Sequence, residues 1–126
     1  MTNTQAGRKR ILYVEDHQDT GELVVALLRD YEVVVAGSKT EGQRRAVVER
    51  FDLYIFDYNL PDGTGIELCH FIRTYDHKTP VLLCTAHPDL TELQADAAGA
   101  QHFIKKGPEF IGSLENVIFH SFAATA

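Results

Sequence analysis

The segment Leu53-Tyr54-Ile55-Phe56-Asp57 decides how the rest of the chain is read. Four apolar residues in succession, aromatic and branched, leave no polar face, so the segment must be covered on both sides. That suits a buried strand of a parallel sheet. The run stops at a carboxylate, and Asn59-Leu60-Pro61-Asp62-Gly63 follows with the composition of a turn.

Similar runs lie on either side. Ile11–Val14 and Glu32–Ala36 precede it, Val81–Cys84 follows, and a weaker run covers His102–Ile104. Numbered in chain order, these are expected strands β1 to β5. The segments after them are expected helices. For α1, Thr20–Tyr31, the pairs Leu23/Leu27 and Val24/Leu28 repeat at helical spacing, and Asp19 or Thr20 is placed to cap the start. For α2, Thr40–Arg50, the stripe is Ala46, Val47 and Val48 with Phe51 beyond; α3 covers Gly65–Tyr75 and the short α4 Leu90–Ala98. In α5, Phe110–Phe122, residues Phe110, Ile111, Leu114, Val117, Ile118 and Phe122 follow the 3.6-residue period. Five β-α alternations predict an α/β fold, a flavodoxin-like doubly wound (βα)5 sandwich. Its parallel five-stranded sheet has the order 2-1-3-4-5, with a ligand crevice where β1 and β3 end.

The chain has 126 residues, 44% hydrophobic and 24% charged, which suits one globular domain. Residues 1–8 read as a flexible polar lead-in and 9–124 as the domain. A formal charge of −6 opposes binding to nucleic-acid phosphates. The basic cluster Arg8-Lys9-Arg10 is too short to reverse that and reads as a solvated strand entry. Cys69 and Cys84 have no CxxC spacing; two free thiols suit a reducing compartment. With no signal-peptide pattern and no membrane-length apolar run, a soluble cytoplasmic protein without membrane contacts is expected.

The chemistry gathers where the runs end. β1 leads into Glu15-Asp16, β3 into Asp57, β4 into Thr85 and β5 toward Lys106. In the expected sheet order, three carboxylates crowd one rim and repel each other. Mg²⁺ neutralises such a rim well, since it takes one or two carboxylates, waters and a phosphate. Lys106 brings an ammonium to balance a carboxylate or a developing phosphoryl charge, and Thr85 a hydroxyl for a phosphoryl oxygen. An ionised aspartate is itself a nucleophile toward phosphorus. The pattern reads as a phosphoryl-transfer site built on Asp57.

Ile11-Leu12-Tyr13-Val14-Glu15-Asp16, Phe56-Asp57-Tyr58-Asn59-Leu60-Pro61-Asp62-Gly63, Leu83-Cys84-Thr85-Ala86 and Gly99-Ala100-Gln101-His102-Phe103-Ile104-Lys105-Lys106 resemble the four signatures of the receiver domain of two-component response regulators. They stand in the family's order, and the resemblance covers roughly residues 9–122. It implies that Asp57 accepts a phosphoryl group from a phosphohistidine on a histidine kinase or histidine phosphotransfer protein. It further implies Mg²⁺ held by Asp16, Asp57 and the backbone carbonyl of Asn59, with Glu15 acting through water. Thr85 and Lys106 would contact the phosphoryl oxygens. Phe103 matches the aromatic switch position, and the α4-β5-α5 surface would carry the output to a downstream protein or a homodimer partner. Asn59 and His87 occupy positions that in this family tune phosphoryl lifetime. The family spacing selects Lys106 over Lys105, and strand alternation puts the two lysines on opposite faces.

The chain departs from the family where Gly107 follows Lys106 in place of the usual proline. Two rival classes stay open here. A haloacid-dehalogenase-like phosphatase also uses a nucleophilic Asp with Mg²⁺, but it prefers an acid where Asn59 stands. A pure binding module would be flavin-dependent or a degenerate receiver. The acidic Glu15-Asp16 loop disfavours a flavin phosphate, and the retained acids and lysine disfavour degeneracy.

Overall fold

The computed structural model describes residues 7–123. Most of the expected lead-in, residues 1–6, and Ala124 at the expected domain end therefore lie outside the described residues. Five strands alternate with five helices: β1 Arg10–Val14, α1 Gln18–Leu27, β2 Glu32–Ala36, α2 Lys39–Val48, β3 Leu53–Asp57, α3 Gly65–Arg73, β4 Val81–Thr85, α4 Glu92–Ala98, β5 His102–Lys105 and α5 Phe110–Ala123. The strands form one parallel sheet of order 2-1-3-4-5. The expected α/β architecture is thus the observed one.

Each strand feeds two cores by alternation. Ile11, Tyr13, Leu53, Ile55, Leu82, Cys84 and Ile104 face α1 and α5, packing on Val24, Leu28, Phe110, Leu114 and Ile118. Leu12, Val14, Tyr54, Phe56, Val81 and Leu83 face α2, α3 and α4, packing on Ala46, Leu68, Cys69, Ile72, Ala95 and Ala98. β3 is buried along its whole length, and Asp57 is its last residue.

Several boundaries and faces differ from the sequence expectation. α1 starts at Gln18, two residues early, because its N-cap is His17, whose N–H donates to Glu15 Oε2 at 3.2 Å. Neither Asp19 nor Thr20 caps it. Of its two leucine-containing pairs only Val24/Leu28 is buried; Leu23 and Leu27 are 51% and 42% exposed. α2 presents its small residues Gly42 and Ala46 to the core. A Cβ on Gly42 would stand 3.0 Å from Val14 and 3.1 Å from Leu68, so the helix lies too close to its neighbours for valine on that face. Val47 and Val48 point outward, 61% and 71% exposed. α4 begins at Glu92 because Thr91 and Gln94 form a capping box, and it ends at Gly99 in the left-handed region at φ 102°. Arg8, assigned to the lead-in, donates to the carbonyls of Arg29 and Tyr31.

The turn after Asp57 is a small antiparallel hairpin that pairs Asn59–Leu60 with Gly63–Thr64. Its tip is tied to α2. Asp62 Oδ1 accepts the N–H of Lys39 at 2.7 Å, and Oδ2 accepts the Thr40 N–H at 2.9 Å and hydroxyl at 2.7 Å. Its base starts α3, where Thr64 and Glu67 cap each other's backbone N–H groups. Gly65 donates to the Tyr58 carbonyl at 2.8 Å. A Cβ there would collide with the Asp57 carbonyl oxygen and stand 2.8 Å from Leu83 Cδ2.

Two outcomes follow. Gly65→Ala should destabilise the fold by about 2–4 kcal/mol in urea unfolding, because the collision is with backbone; a loss below about 0.5 kcal/mol contradicts the close packing. The Thr40 and Lys39 donors hold the Asp62 carboxyl at about 2, below its ordinary 3.8. Its contribution is therefore present above the ordinary value and lost as pH falls toward 2. Asp62→Ala should lower the thermal midpoint at pH 7, and the gap from the parent chain should close between about pH 4 and 2. A gap independent of pH contradicts the assignment.

Candidate functional site

Strand alternation and sheet order deliver the site. Tyr13 and Glu15 stand on one side of β1 and its extension, Ile55 and Asp57 on the same side of β3, and Ile104 and Lys106 on that of β5. At their C-terminal ends Lys106 Nζ lies 2.7 Å from Glu15 Oε1 and 2.8 Å from Asp57 Oδ1. Glu15 is 2% exposed and Asp57 6%. The two acids and the lysine are thus in direct contact, across 91 residues of sequence for the Glu15 pair. Lys105 instead donates to the Pro88 carbonyl at 3.2 Å and is exposed.

Glu15 is held on all sides. The buried Tyr13 hydroxyl donates to its Oε1 at 3.1 Å, while Oε2 takes the His17 N–H. Burial, followed by the Glu15 charge, pushes the Tyr13 phenol far above its usual value, so it stays a donor. Tyr13 was read from sequence only as strand filling. Its period-two relation to Glu15 was the signal that could have found it.

Burial pushes the Asp57 carboxyl above its ordinary value; the Lys106 hydrogen bond opposes that shift, and the charges of Glu15 and Asp16 add to it. Lys106 is pulled down by burial, but hydrogen bonds to Asp57 and Glu15 outweigh this and raise it. The ammonium thus keeps its proton, while burial works against charge on Asp57. Two like charges about 5 Å apart repel by roughly 3 kcal/mol at an effective dielectric near 20, comparable to what one ammonium contact returns. One lysine therefore balances one buried acid but not both, and Asp16 adds a third charge at the exposed rim. Asp57 Oδ2 has no donor among the described residues and is not sealed from solvent.

A divalent cation fits this surplus. The oxygen donors of Glu15 and Asp16, with His17 beside them, have ligand atoms within 4.8 Å of one another, and hard cations prefer oxygen. Asn59 lies exposed two residues beyond Asp57, in the first arm of the hairpin.

Thr85 is wholly buried at the end of β4. Its Oγ1 accepts the His87 N–H at 2.7 Å, which leaves its own proton free to donate; its carbonyl accepts the Lys106 N–H at 2.7 Å. Leu83 stands opposite Phe103 in register and Thr85 opposite Lys105. Thr85 and Phe103 therefore share a face of the sheet, the one opposite Asp57. Phe103 is half-buried against the α4 side of the core and lines a groove of about 250 Å³ with Leu93, Ala95 and Ala100. His87 Nδ1 accepts the Asp89 N–H at 3.1 Å, and its ring meets Tyr58 edge-on at 5.6 Å. It shapes the β4–α4 loop beside the site. Gly107 lies outside the left-handed region, and a Cβ there would meet nothing within 4 Å. The loop after Lys106 does not depend on glycine.

Comparison with known proteins bears on the family and the fold. The profile of the response regulator receiver domain matches residues 11–113. The response regulator protein PilR of Pseudomonas aeruginosa is 33% identical over 114 residues, covering 88% of this chain and 25% of PilR. The DNA-binding response regulator MtrA of Mycobacterium leprae is 30% identical over 102 residues, covering 79% of this chain and 45% of MtrA. The chain thus spans less than half the length of these curated relatives. Among solved structures, the response regulator TrrA of Thermotoga maritima in complex with Mg²⁺ and BeF superposes with a TM-score of 0.76 at 28% identity, covering 86% of this chain and 96% of TrrA. A Francisella response regulator receiver domain gives a TM-score of 0.85 at 20% identity, covering 94% of this chain and 100% of that one, which shows the shared fold. No helix among the described residues is long and apolar enough to cross a membrane. The chain belongs to the response regulator receiver domain family of two-component signalling.

Proposed function

We propose that Asp57 accepts a phosphoryl group from a phosphohistidine on a histidine kinase or histidine phosphotransfer protein in the cytoplasm. The observation that carries this reading is the contact of Lys106 Nζ with Asp57 Oδ1 at 2.8 Å, on a buried carboxylate whose other oxygen stays open. A carboxylate oxygen attacks phosphorus in line with the departing imidazole; an O–P bond forms, the P–N bond breaks, and the imidazole nitrogen keeps the electron pair and takes a proton from solvent. Lys106 offsets the charge on the phosphoryl oxygens, and Thr85 donates its hydroxyl proton to one of them. Asp16, Asp57 and the Asn59 carbonyl would hold Mg²⁺, with Glu15 acting through water; when bound, the ion supplies charge neutralisation on the phosphoryl oxygens. The Mg²⁺ and BeF complex of TrrA supports that choice of ion.

The signal is read on the far face. Movement of Thr85 toward the phosphoryl group vacates space beside Phe103, which lines the groove between α4 and β5. Two arrangements of this aromatic would present different α4-β5-α5 surfaces to a downstream protein or a second copy. Asn59 and His87, at the positions that tune phosphoryl lifetime in this family, would set that lifetime here. The domain is a phosphoacceptor signalling module that would catalyse its own phosphorylation and dephosphorylation.

Incubation with Mg²⁺ and acetyl phosphate should add one phosphoryl mass to the intact protein, with no gain in Asp57→Asn. A gain in Asp57→Asn equal to that of the parent chain overturns the assignment. Lys106→Met should slow uptake by about 100-fold, the scale for losing one donor to a developing anion. Uptake within about twofold of the parent chain contradicts the role given to the ammonium.

A further inference from the structure

The rim carries a donor that neither the phosphoacceptor chemistry nor the ion pair uses. His17 is the N-cap of α1, and its ring is 68% exposed. Its Nδ1 lies 3.9 Å from Glu15 Oε2, the oxygen turned away from Lys106. One ligand atom from each of Glu15, Asp16 and His17 falls within 4.8 Å of the others. Nitrogen and oxygen ligands of a tetrahedral ion at ~2.1 Å are separated by ~3.4 Å. The Nδ1 to Oε2 gap therefore needs only a small rotation of an exposed ring. The other two donors differ in kind: Glu15 is buried and fixed by Tyr13, Lys106 and the His17 N–H, whereas Asp16 is exposed and free to adjust. A preset oxygen, an adjustable oxygen and an adjustable nitrogen describe a site that can close around an ion.

We infer that His17 is a metal ligand that shifts the divalent-cation preference of this rim from Mg²⁺ toward Zn²⁺. The inference rests on the reading above that the rim takes a divalent cation at all. The chemistry behind it is general. Mg²⁺ is held by oxygen and gains little from imidazole, while Zn²⁺ binds His nitrogen and carboxylate oxygen together at ~2.0–2.2 Å. Adding one imidazole to a carboxylate pair therefore raises affinity for zinc and leaves magnesium nearly unchanged. The choice of His17 over the neighbouring His87 follows from bonding: His87 Nδ1 is already an acceptor for Asp89, and its ring lies against Tyr58.

Zn²⁺ affinity of the full chain is measured by competition with a chromogenic zinc indicator, and Mg²⁺ affinity by calorimetry, for the parent chain, His17→Gln, His87→Gln and Asp16→Asn. His17→Gln should weaken Zn²⁺ by about tenfold or more and change Mg²⁺ by less than about twofold. His87→Gln should change neither, and Asp16→Asn should weaken both. Equal loss of both ions in His17→Gln, or loss of neither, overturns the ligand role while leaving the Mg²⁺ site standing. If Asp16→Asn leaves both affinities unchanged, no cation sits at this rim, and the reading beneath the inference falls with it. Circular dichroism of each variant separates loss of a ligand from loss of fold.

Discussion

Everything at the functional end of this domain depends on one ammonium placed between two buried carboxylates. Lys106 Nζ touches Glu15 and Asp57 at 2.7 and 2.8 Å. Without it, two nearly water-free acids would face each other in a medium where their repulsion costs several kcal/mol, and burial would protonate one of them. With it, Asp57 can remain ionised while hidden from bulk solvent. That is the state a nucleophilic carboxylate needs, stripped of most of its hydration but still charged. The cation does not cancel the rim, however. Asp16 and the excess charge of the pair leave the crevice negative, which is the charge the proposed divalent ion would offset.

The rest of the fold serves to hold these three groups in register. β3 is buried along its length, so Asp57 emerges only at its last residue. The chain beyond it cannot drift: the hairpin tip is pinned by Asp62 to the first turn of α2, and the hairpin base runs straight into the capped start of α3. Gly65 packs against the Asp57 carbonyl itself. On the other strand, Tyr13 fixes Glu15 from below through a bond internal to one face of β1. Thr85 and Phe103 share the opposite face of the sheet, so chemistry at Asp57 and the groove beside α4 are separated by one layer of strands.

Much of this was legible in the sequence. Short two-sided apolar runs alternating with helical segments leave few sheet orders, and the common one, 2-1-3-4-5, brings the ends of β1, β3, β4 and β5 to one rim. What was not legible was local competition. Leu23 and Val47 look like core residues by spacing, yet α1 needs only Val24 and Leu28, and α2 approaches the sheet through Gly42 and Ala46. The early start of α1 came from the Glu15 carboxylate taking the His17 N–H, a bond between a site residue and a backbone group that no capping pattern announces. Asp62 likewise looked like an ordinary turn residue, because its partners lie over twenty residues away. Gly107, flagged as a departure, is conformationally ordinary.

Three carboxylates share the rim, and the central claim concerns which one reacts. The most direct test is reductive trapping. The protein is phosphorylated with acetyl phosphate and Mg²⁺, treated with borohydride, which reduces an acyl phosphate to an alcohol, and mapped by peptide mass spectrometry. Reduction confined to Asp57 is the expected result. Reduction at Glu15 or Asp16 with Asp57 intact would contradict the assignment, because it would make the lysine-paired acid with an open oxygen a bystander.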